Sequence, residues 1–127
     1  MNLTPGIKRL LLFVFTFFAI VHLVSCLWGL MALTNEDQSD TWIFKYGFMD
    51  ETEVDLYLIC FYWAIKTLTT VGYGDITPQN PQERIYASII MIAGIFIYSY
   101  IIGAVANVIQ SLDSEKKELN KKYEVLN

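Results

Sequence analysis

The chain has 127 residues, of which 54% are hydrophobic and 17% are charged, and its formal net charge is −4. A soluble domain of this length is rarely so apolar, so the composition indicates a membrane protein. Nothing in it points to nucleic-acid binding. Neither a set of metal ligands nor a catalytic constellation can be assembled from its residues, so an enzyme is not expected.

The first apolar segment covers residues 10–33 and carries no formal charge. A helix of this length measures about 36 Å, which is enough to cross a hydrocarbon core of about 30 Å with some tilt. Lys8 and Arg9 precede it, as basic residues would in a signal peptide. The apolar run exceeds the usual length of about 7–15 residues, however, and no small-residue cleavage pattern follows it. We therefore predict a membrane-spanning outer helix.

Residues 34–53 are polar and acidic, and we predict a loop, here called the turret. Its aromatic side chains are expected to cover the outer face or to anchor at the membrane interface. They are Trp42, Phe44, Tyr46 and Phe48.

Basic residues lie near both ends of the chain, outside the apolar segments. They are Lys8 and Arg9 at one end and Lys116, Lys117, Lys121 and Lys122 at the other. Because Lys and Arg near a membrane favour the cytoplasmic side, we predict that both termini are cytoplasmic and that the acidic turret is extracellular.

Residues 54–67 are predicted to form a pore helix of about 21 Å, too short to cross a bilayer. Acidic residues crowd its start, where the positive end of the helix dipole favours them. Such a helix would enter from outside, stop partway and return through a non-helical segment. Non-helical backbone at membrane depth persists only where it lines a watery path or is buried in protein.

The returning segment, residues 70–75, reads Thr-Val-Gly-Tyr-Gly-Asp. A potassium ion leaves its water shell only where oxygens of similar number and spacing replace it. Four copies around one axis would supply such oxygens from backbone carbonyls and from the Thr70 hydroxyl. Carbonyls that all point one way require alternating backbone conformations, including positive φ, which glycine adopts without steric cost. The predicted ion-binding residues of this selectivity filter are Thr70, Val71, Gly72, Tyr73 and Gly74.

A Gly-Tyr-Gly run by itself is also typical of a glycine turn in a β-hairpin. Here two long apolar segments, a short helix and an acidic mouth surround it. This context favours the filter.

Pro78 and Pro81 end the irregular segment, and Asn80 is placed to cap the helix that follows. Residues 85–112 are uncharged and are predicted to form the second spanning helix, the inner helix.

Residues 113–127 are charged and are predicted to form a cytoplasmic helical tail. Its apolar residues suit either a short bundle that continues the inner helix or an ordinary amphipathic helix with a partner elsewhere.

Cys26 and Cys60 lie in apolar segments, and buried free thiols are expected because a disulfide would require those segments to touch.

His22 is a lone histidine of the outer helix. It is expected to pack or to lie at the interface rather than to sense protons.

Three more segments add family-like patterns to the filter. They are residues 22–28 (His-Leu-Val-Ser-Cys-Leu-Trp), residues 56–63 (Leu-Tyr through Tyr-Trp) and residues 98–103 (Tyr-Ser-Tyr-Ile-Ile-Gly). With them, nearly the whole chain resembles the pore domain of tetrameric potassium channels, and within these the cyclic-nucleotide-gated and ether-à-go-go superfamily.

The resemblance implies an all-α membrane protein with two transmembrane helices, a re-entrant pore helix and a filter loop. It implies a four-fold symmetric homotetramer in the lipid bilayer, with K⁺ as the permeant ion and no cofactor. Residues 1–127 would form a single pore domain, either excised from a longer channel or a natural minimal pore. The voltage sensor and nucleotide-binding domain of relatives have no counterpart in this sequence, so neither kind of gating is predicted.

The resemblance also implies roles along the inner helix. Gly94 matches a hinge glycine, and Tyr98 and Ile102 match cavity-facing positions where pore blockers lodge. Ala106 and Gln110 lie lower on the same stripe, which places the closed-state gate between Ile102 and Gln110. The alternative for Tyr98 is packing against a neighbouring helix.

Behind the filter, Tyr62 and Trp63 match an aromatic cuff, in which Tyr62 would bond Asp75 and Trp63 would donate to the Tyr73 hydroxyl. Lys66 departs from the family pattern, because some relatives carry an acidic residue in this region. Lys66 would either form an ion pair with Asp75 that supports the outer filter or extend to the outer water layer.

The predicted function is a potassium-selective pore that passes K⁺ down its electrochemical gradient. Two alternatives stay open at this point: a weakly selective monovalent cation channel and a non-conducting assembly or regulatory subunit. A potassium transporter with repeated pores would need four different filter segments in one chain, and the sequence contains one.

Overall fold

The computed structural model describes residues 5–126, and all regular structure within them is helical. Four α-helices follow one another: α1 (Pro5–Leu33), α2 (Trp42–Lys45), α3 (Glu53–Leu68) and α4 (Pro81–Leu126), with a 3₁₀ turn at Gln38–Asp40 before α2. Residues 1–4 and 127 of the predicted domain lie outside the described range. Helices α1 and α4 are long and apolar enough to cross a membrane.

Both long helices extend past their predicted limits. Helix α1 begins at Pro5 rather than residue 10, so Lys8 and Arg9 are helical. Helix α4 joins the predicted inner helix (85–112) and tail (113–127) into one element of 46 residues, about 69 Å long. A change from apolar to charged residues ends a membrane span but not a helix, because the charged residues here are themselves good helix formers. The last part of α4 therefore continues beyond the thickness of a bilayer.

The short helix α3 has 16 residues, and Thr52 caps it by accepting a hydrogen bond from the Asp55 amide at 3.2 Å. The predicted pore helix covered residues 54–67, so its bounds differ by one residue at each end. The turret is more ordered than the predicted loop at 34–53, because Asp37 and Thr41 cap its two short helical turns.

A stack of tryptophan rings lies where the helices meet. The ring of Trp28 from α1 lies 3.8 Å from that of Trp63 in α3 and 5.3 Å from that of Trp42 in α2, measured between centroids. Tyr86 of α4 stacks at the edge of this group and donates its hydroxyl to the Val24 carbonyl at 2.9 Å. The three tryptophans are buried. For Trp42 the expected place at the outer face or the membrane interface is wrong, since its side chain is fully buried and stacks on Trp28 of α1.

Helices α3 and α4 come into close contact at Gly94. A Cβ built at this position would lie 2.8 Å from the Leu68 carbonyl oxygen and 2.9 Å from its Cα. Backbone atoms cannot move aside as a side-chain tip can, so only glycine fits this contact.

We expect Gly94→Ala to lower the free energy of unfolding by about 1–3 kcal/mol, because the added methyl group overpacks a backbone contact. Thermal unfolding of the detergent-solubilised protein measures the change. Gly103→Ala is the matched control, because a Cβ at Gly103 of the same helix meets no atom within 4 Å. Equal stability of the two variants would contradict the packing role of Gly94.

Candidate ion-conducting site

The predicted filter begins directly after α3 and is not helical. Its backbone φ is positive at Thr70 (65°), Gly72 (57°) and Gly74 (77°), that is, at every second residue. Glycine tolerates such angles, but at a β-branched threonine they cost about 1–3 kcal/mol, and strain of this kind clusters at functional sites. The Gly72 amide donates to the Lys66 carbonyl at 3.1 Å, which fixes the turn from helix to filter.

The side chains of the filter have little protein around them in the single chain. The ring of Tyr73 is 73% exposed, and Val71 is also exposed. Exposed apolar and aromatic side chains next to each other are typical of a surface that another chain covers.

Lys66 lies directly behind the filter and is only 4% exposed. Its Nζ donates to Asp75 Oδ1 at 2.5 Å and to the Ile76 carbonyl at 3.2 Å. It also lies 5.8 Å from the centroid of the Tyr62 ring. A buried ammonium requires such partners, and here the side chain makes them instead of reaching the water layer.

The Asp75 carboxylate is the other half of this pair and is partly exposed. The hydrogen bond from Lys66 holds the pKa of Asp75 below its usual value, and hydrogen bonding from Tyr62 acts in the same direction. The carboxylate is therefore ionised at neutral pH, and the pair is a charged one.

Trp63, the other residue of the predicted aromatic cuff, faces inward. It is buried and stacks on Trp28 and Tyr86. Within residues 5–126 of this one chain there is no hydrogen bond between Trp63 and the exposed Tyr73. Any such bond in an assembly would join two copies.

Glu83, which was not predicted from the sequence, is the one acidic residue within 5–126 that is buried, with 0% exposure. It accepts hydrogen bonds from the backbone amides of Gln79 at 2.9 Å and Trp42 at 3.3 Å, and from Asn80 Nδ2 at 3.0 Å. Asn80 caps α4, as predicted, by accepting from the Glu83 amide at 2.9 Å. The spacing Asn-x-x-Glu at a helix start is a capping-box signature, and it is the signal that could have found Glu83.

Two more contacts join the turret to the segment after the filter. Asn80 Nδ2 donates to the Asp40 carbonyl at 2.8 Å. The Tyr46 hydroxyl lies 2.8 Å from Thr77 Oγ1 and accepts from the Thr77 amide at 3.2 Å. The turret is therefore bonded to the backbone that follows Asp75 at several points.

The predicted hinge, cavity and gate residues all lie on α4. Gly94 is buried against Leu68. The four residues below it recur every fourth position and are exposed in the single chain. They are Tyr98, Ile102, Ala106 and Gln110.

The histidine and the two cysteines lie on α1 and α3. His22 is exposed, and its Nδ1 lies 2.6 Å from the Tyr57 hydroxyl, so it links α1 to α3 by a hydrogen bond. Both cysteines are free thiols, but Cys26 is exposed rather than buried as expected. Residues 5–126 contain no cluster of three or more His, Cys, Asp or Glu side chains that could hold a metal ion.

Comparison with known proteins decides the family. Residues 3–117 match the family model described as ion transport protein. The chain belongs to the ion transport protein family. Together with two spanning helices, this membership makes it an integral membrane protein, and the prediction that it is not an enzyme is confirmed.

The chain is also similar to several proteins named as potassium channels. Potassium channel AKT1 of Arabidopsis thaliana is 38% identical over 96 residues, which are 74% of this chain and 11% of the relative. Potassium channel KAT6 of Oryza sativa subsp. japonica is 38% identical over 96 residues, 74% of this chain and 16% of the relative. These matches confirm the predicted resemblance to potassium-channel pores, although the chain spans less than a fifth of the length of these curated relatives.

We expect Glu83→Ala to lower the free energy of unfolding by about 2–5 kcal/mol, because two buried donors and one part-buried donor lose their acceptor. Hydrogen exchange at the Trp42 and Gln79 amides should accelerate together. Glu51→Ala is the control, since it removes the same charge from an exposed turret position. If both variants unfold at the same temperature, the Glu83 network does not hold the turret.

Proposed function

We propose that this chain forms a potassium-selective pore in which backbone carbonyls of residues 70–74 coordinate K⁺. The observation that carries the proposal is the alternation of positive φ at Thr70, Gly72 and Gly74 within the Thr-Val-Gly-Tyr-Gly sequence. This is the backbone pattern that carbonyls directed to one side require. The relatives named as potassium channels support the same ion.

Four copies would be needed, because one chain supplies one set of carbonyls and a dehydrated ion needs a ring of them. The exposed Val71 and Tyr73 support a homotetramer, since neighbouring copies would cover them. In that assembly α3 is a re-entrant pore helix: its 16 residues are too few to cross the bilayer, and it leads straight into the filter. Its C-terminal end, directed at a central cavity, would stabilise a cation there.

The proposed orientation has both termini in the cytoplasm and the turret outside, as the flanking basic residues favour. Along α4, Gly94 would be the hinge and Tyr98 and Ile102 would face the cavity that pore blockers enter. Ala106 and Gln110 would lie at the gate.

The pair of Lys66 and Asp75 would hold the outer end of the filter. Its support is the burial of Lys66 together with its 2.5 Å contact to Asp75 and its second bond to the Ile76 carbonyl. The pair bridges the last turn of α3 and the backbone just beyond the filter, so it closes the filter loop from behind.

Purified wild-type protein in liposomes is expected to pass K⁺ in a flux assay that barium blocks, and Gly72→Ala is expected to abolish the flux. Alanine at a φ of 57° is strained and would turn a carbonyl out of the ring. Gly47→Ala is a matched control, because Gly47 has a similar φ of 75° but lies in the turret.

Three results, from this assay, from reversal potentials and from the oligomeric mass, would each count against the proposal. Reversal potentials that do not separate K⁺ from Na⁺ would indicate the weakly selective channel. Equal loss of flux in both glycine variants would mean that backbone strain alone disrupts the protein. A stable monomer or dimer by mass measurement would exclude a four-fold filter.

Replacing Lys66 tests the ion pair through its pH dependence. The pKa of Asp75 is lowered, so the stabilisation from the pair is present above the unfolded pKa of about 3.9 and is lost as pH falls through the lower folded value. Lys66→Met removes the main cause of the shift. We therefore expect flux and selectivity of the variant to fail at a higher external pH than in the wild type.

Lys45→Met is the control for this experiment, since Lys45 is an exposed turret lysine. Flux and K⁺ selectivity are measured over an external pH range of about 3–7, which covers the usual pKa of an aspartate. Identical pH profiles for Lys66→Met and the wild type would show that the pair does not support the filter.

A further inference from the structure

A groove of about 880 Å³ lies between the first turns of α1 and the second half of α4. Its lining includes the Arg9 guanidinium from α1 and the polar side chains of Asn107, Ser111 and Ser114 from α4. Within residues 5–126, none of these four side chains is hydrogen-bonded or ion-paired to another residue. The groove therefore presents one positive charge and several free polar groups.

A second groove of about 520 Å³ adjoins the first along the same two helices. Its lining is almost entirely apolar and includes Phe17 and Ile20 from α1 and Phe96 and Ile101 from α4. Phe13 and Tyr100 line both grooves, and their rings meet edge to face at 4.5 Å. The two grooves thus form one channel along the protein surface that is polar and basic at one end and apolar at the other.

Most of this double groove faces away from the proposed pore, and only Gln110 at its edge is also a proposed gate residue. At about 100° per residue, Asn107 lies about half a turn around α4 from Tyr98, the proposed cavity residue. In the proposed tetramer, on which this step rests, the groove opens on the periphery where the bilayer begins. Its polar end then lies at the level of the cytoplasmic leaflet, and its apolar end lies toward the membrane centre.

We propose that the double groove is a binding site for one anionic phospholipid of the cytoplasmic leaflet. The phosphate binds Arg9, the polar groups of the headgroup and glycerol bind Asn107 and the two serines, and one acyl chain lies along the apolar groove. The order of charge, polar groups and apolar surface along the groove matches the order of these parts in the lipid. Basic pockets between transmembrane helices on the cytoplasmic side are suited to anionic headgroups.

Native mass spectrometry of the full chain tests the site with two probes that share acyl chains, phosphatidylglycerol and phosphatidylcholine. The wild type is expected to retain phosphatidylglycerol in preference to phosphatidylcholine. Arg9→Gln is expected to weaken phosphatidylglycerol binding about fivefold, the effect of one basic group near the headgroups. Asn107→Ala should weaken binding of both lipids.

Lys8→Gln is the decisive control. Lys8 carries the same charge in the same turn of α1 but does not line the groove. Its phosphatidylglycerol affinity should equal that of the wild type. Equal losses in Lys8→Gln and Arg9→Gln would overturn the proposal in favour of general attraction to an anionic surface, and no loss in Arg9→Gln would overturn it directly.

A photoactivatable phosphatidylglycerol with a reactive acyl chain locates the bound lipid. Labelled positions are expected within residues 12–20 and 96–101. Labelling elsewhere, or protection of these residues by a neighbouring copy of the chain, would overturn the proposal. Gly72→Ala should bind phosphatidylglycerol as the wild type does, so failure of the lipid site and failure of the pore give different results.

Discussion

Backbone that lines a path for ions cannot form the hydrogen bonds of a helix or a sheet, so the neighbouring structure must hold it in place. In this chain the segment that follows α3 has positive φ at every second residue, one of them a threonine. Such a conformation persists only when the surroundings determine it. The support comes from behind, through the buried Lys66, which bonds both a side chain and a carbonyl beyond the segment.

The outer side has a separate support. Glu83 binds the turret, the loop after the filter and the start of α4 through one carboxylate. Burying a carboxylate costs free energy unless protein donors replace its hydrogen bonds to water. Three donors replace them at Glu83. The result is a rigid collar of protein around residues 76–80, built from hydrogen bonds rather than from a large apolar core. The tryptophan stack below it supplies the apolar part of the same scaffold.

The sequence predicted the parts of this structure that depend on local chemistry. Gly72 and Gly74 predicted positive φ, the two apolar segments predicted spanning helices, and Asn80 predicted a cap. The sequence did not predict the features that depend on tertiary contacts, such as the burial of Trp42. Trp42 lies in a polar, acidic segment, where an aromatic side chain is expected at an interface, but it is buried and stacks on Trp28 of α1. This contact depends on how the turret folds back onto α1.

The partner of Lys66 could not be predicted from the local sequence. Its partner is nine residues away across an irregular segment, and periodicity says nothing about which direction a lysine takes there. The sequence left an ion pair and an extended side chain as equal alternatives, and the contact with Asp75 is made in the structure. The continuity of α4 was not predicted for a similar reason. The charged residues after 112 end the apolar segment, but they favour helix, so the helix continues to Leu126.

The contact between Gly94 and the Leu68 backbone has a mechanical consequence. Leu68 is the last residue of α3, and Thr70 follows almost at once. Any bend or rotation of α4 at Gly94 must displace the end of α3, since no side chain lies between them to absorb the motion. Helix α4 is continuous to Leu126, so in the proposed pore a force applied at its distant end would act on the end of α3, where the filter begins. In the proposed pore, opening at the gate and ion coordination in the filter would therefore be coupled by direct contact.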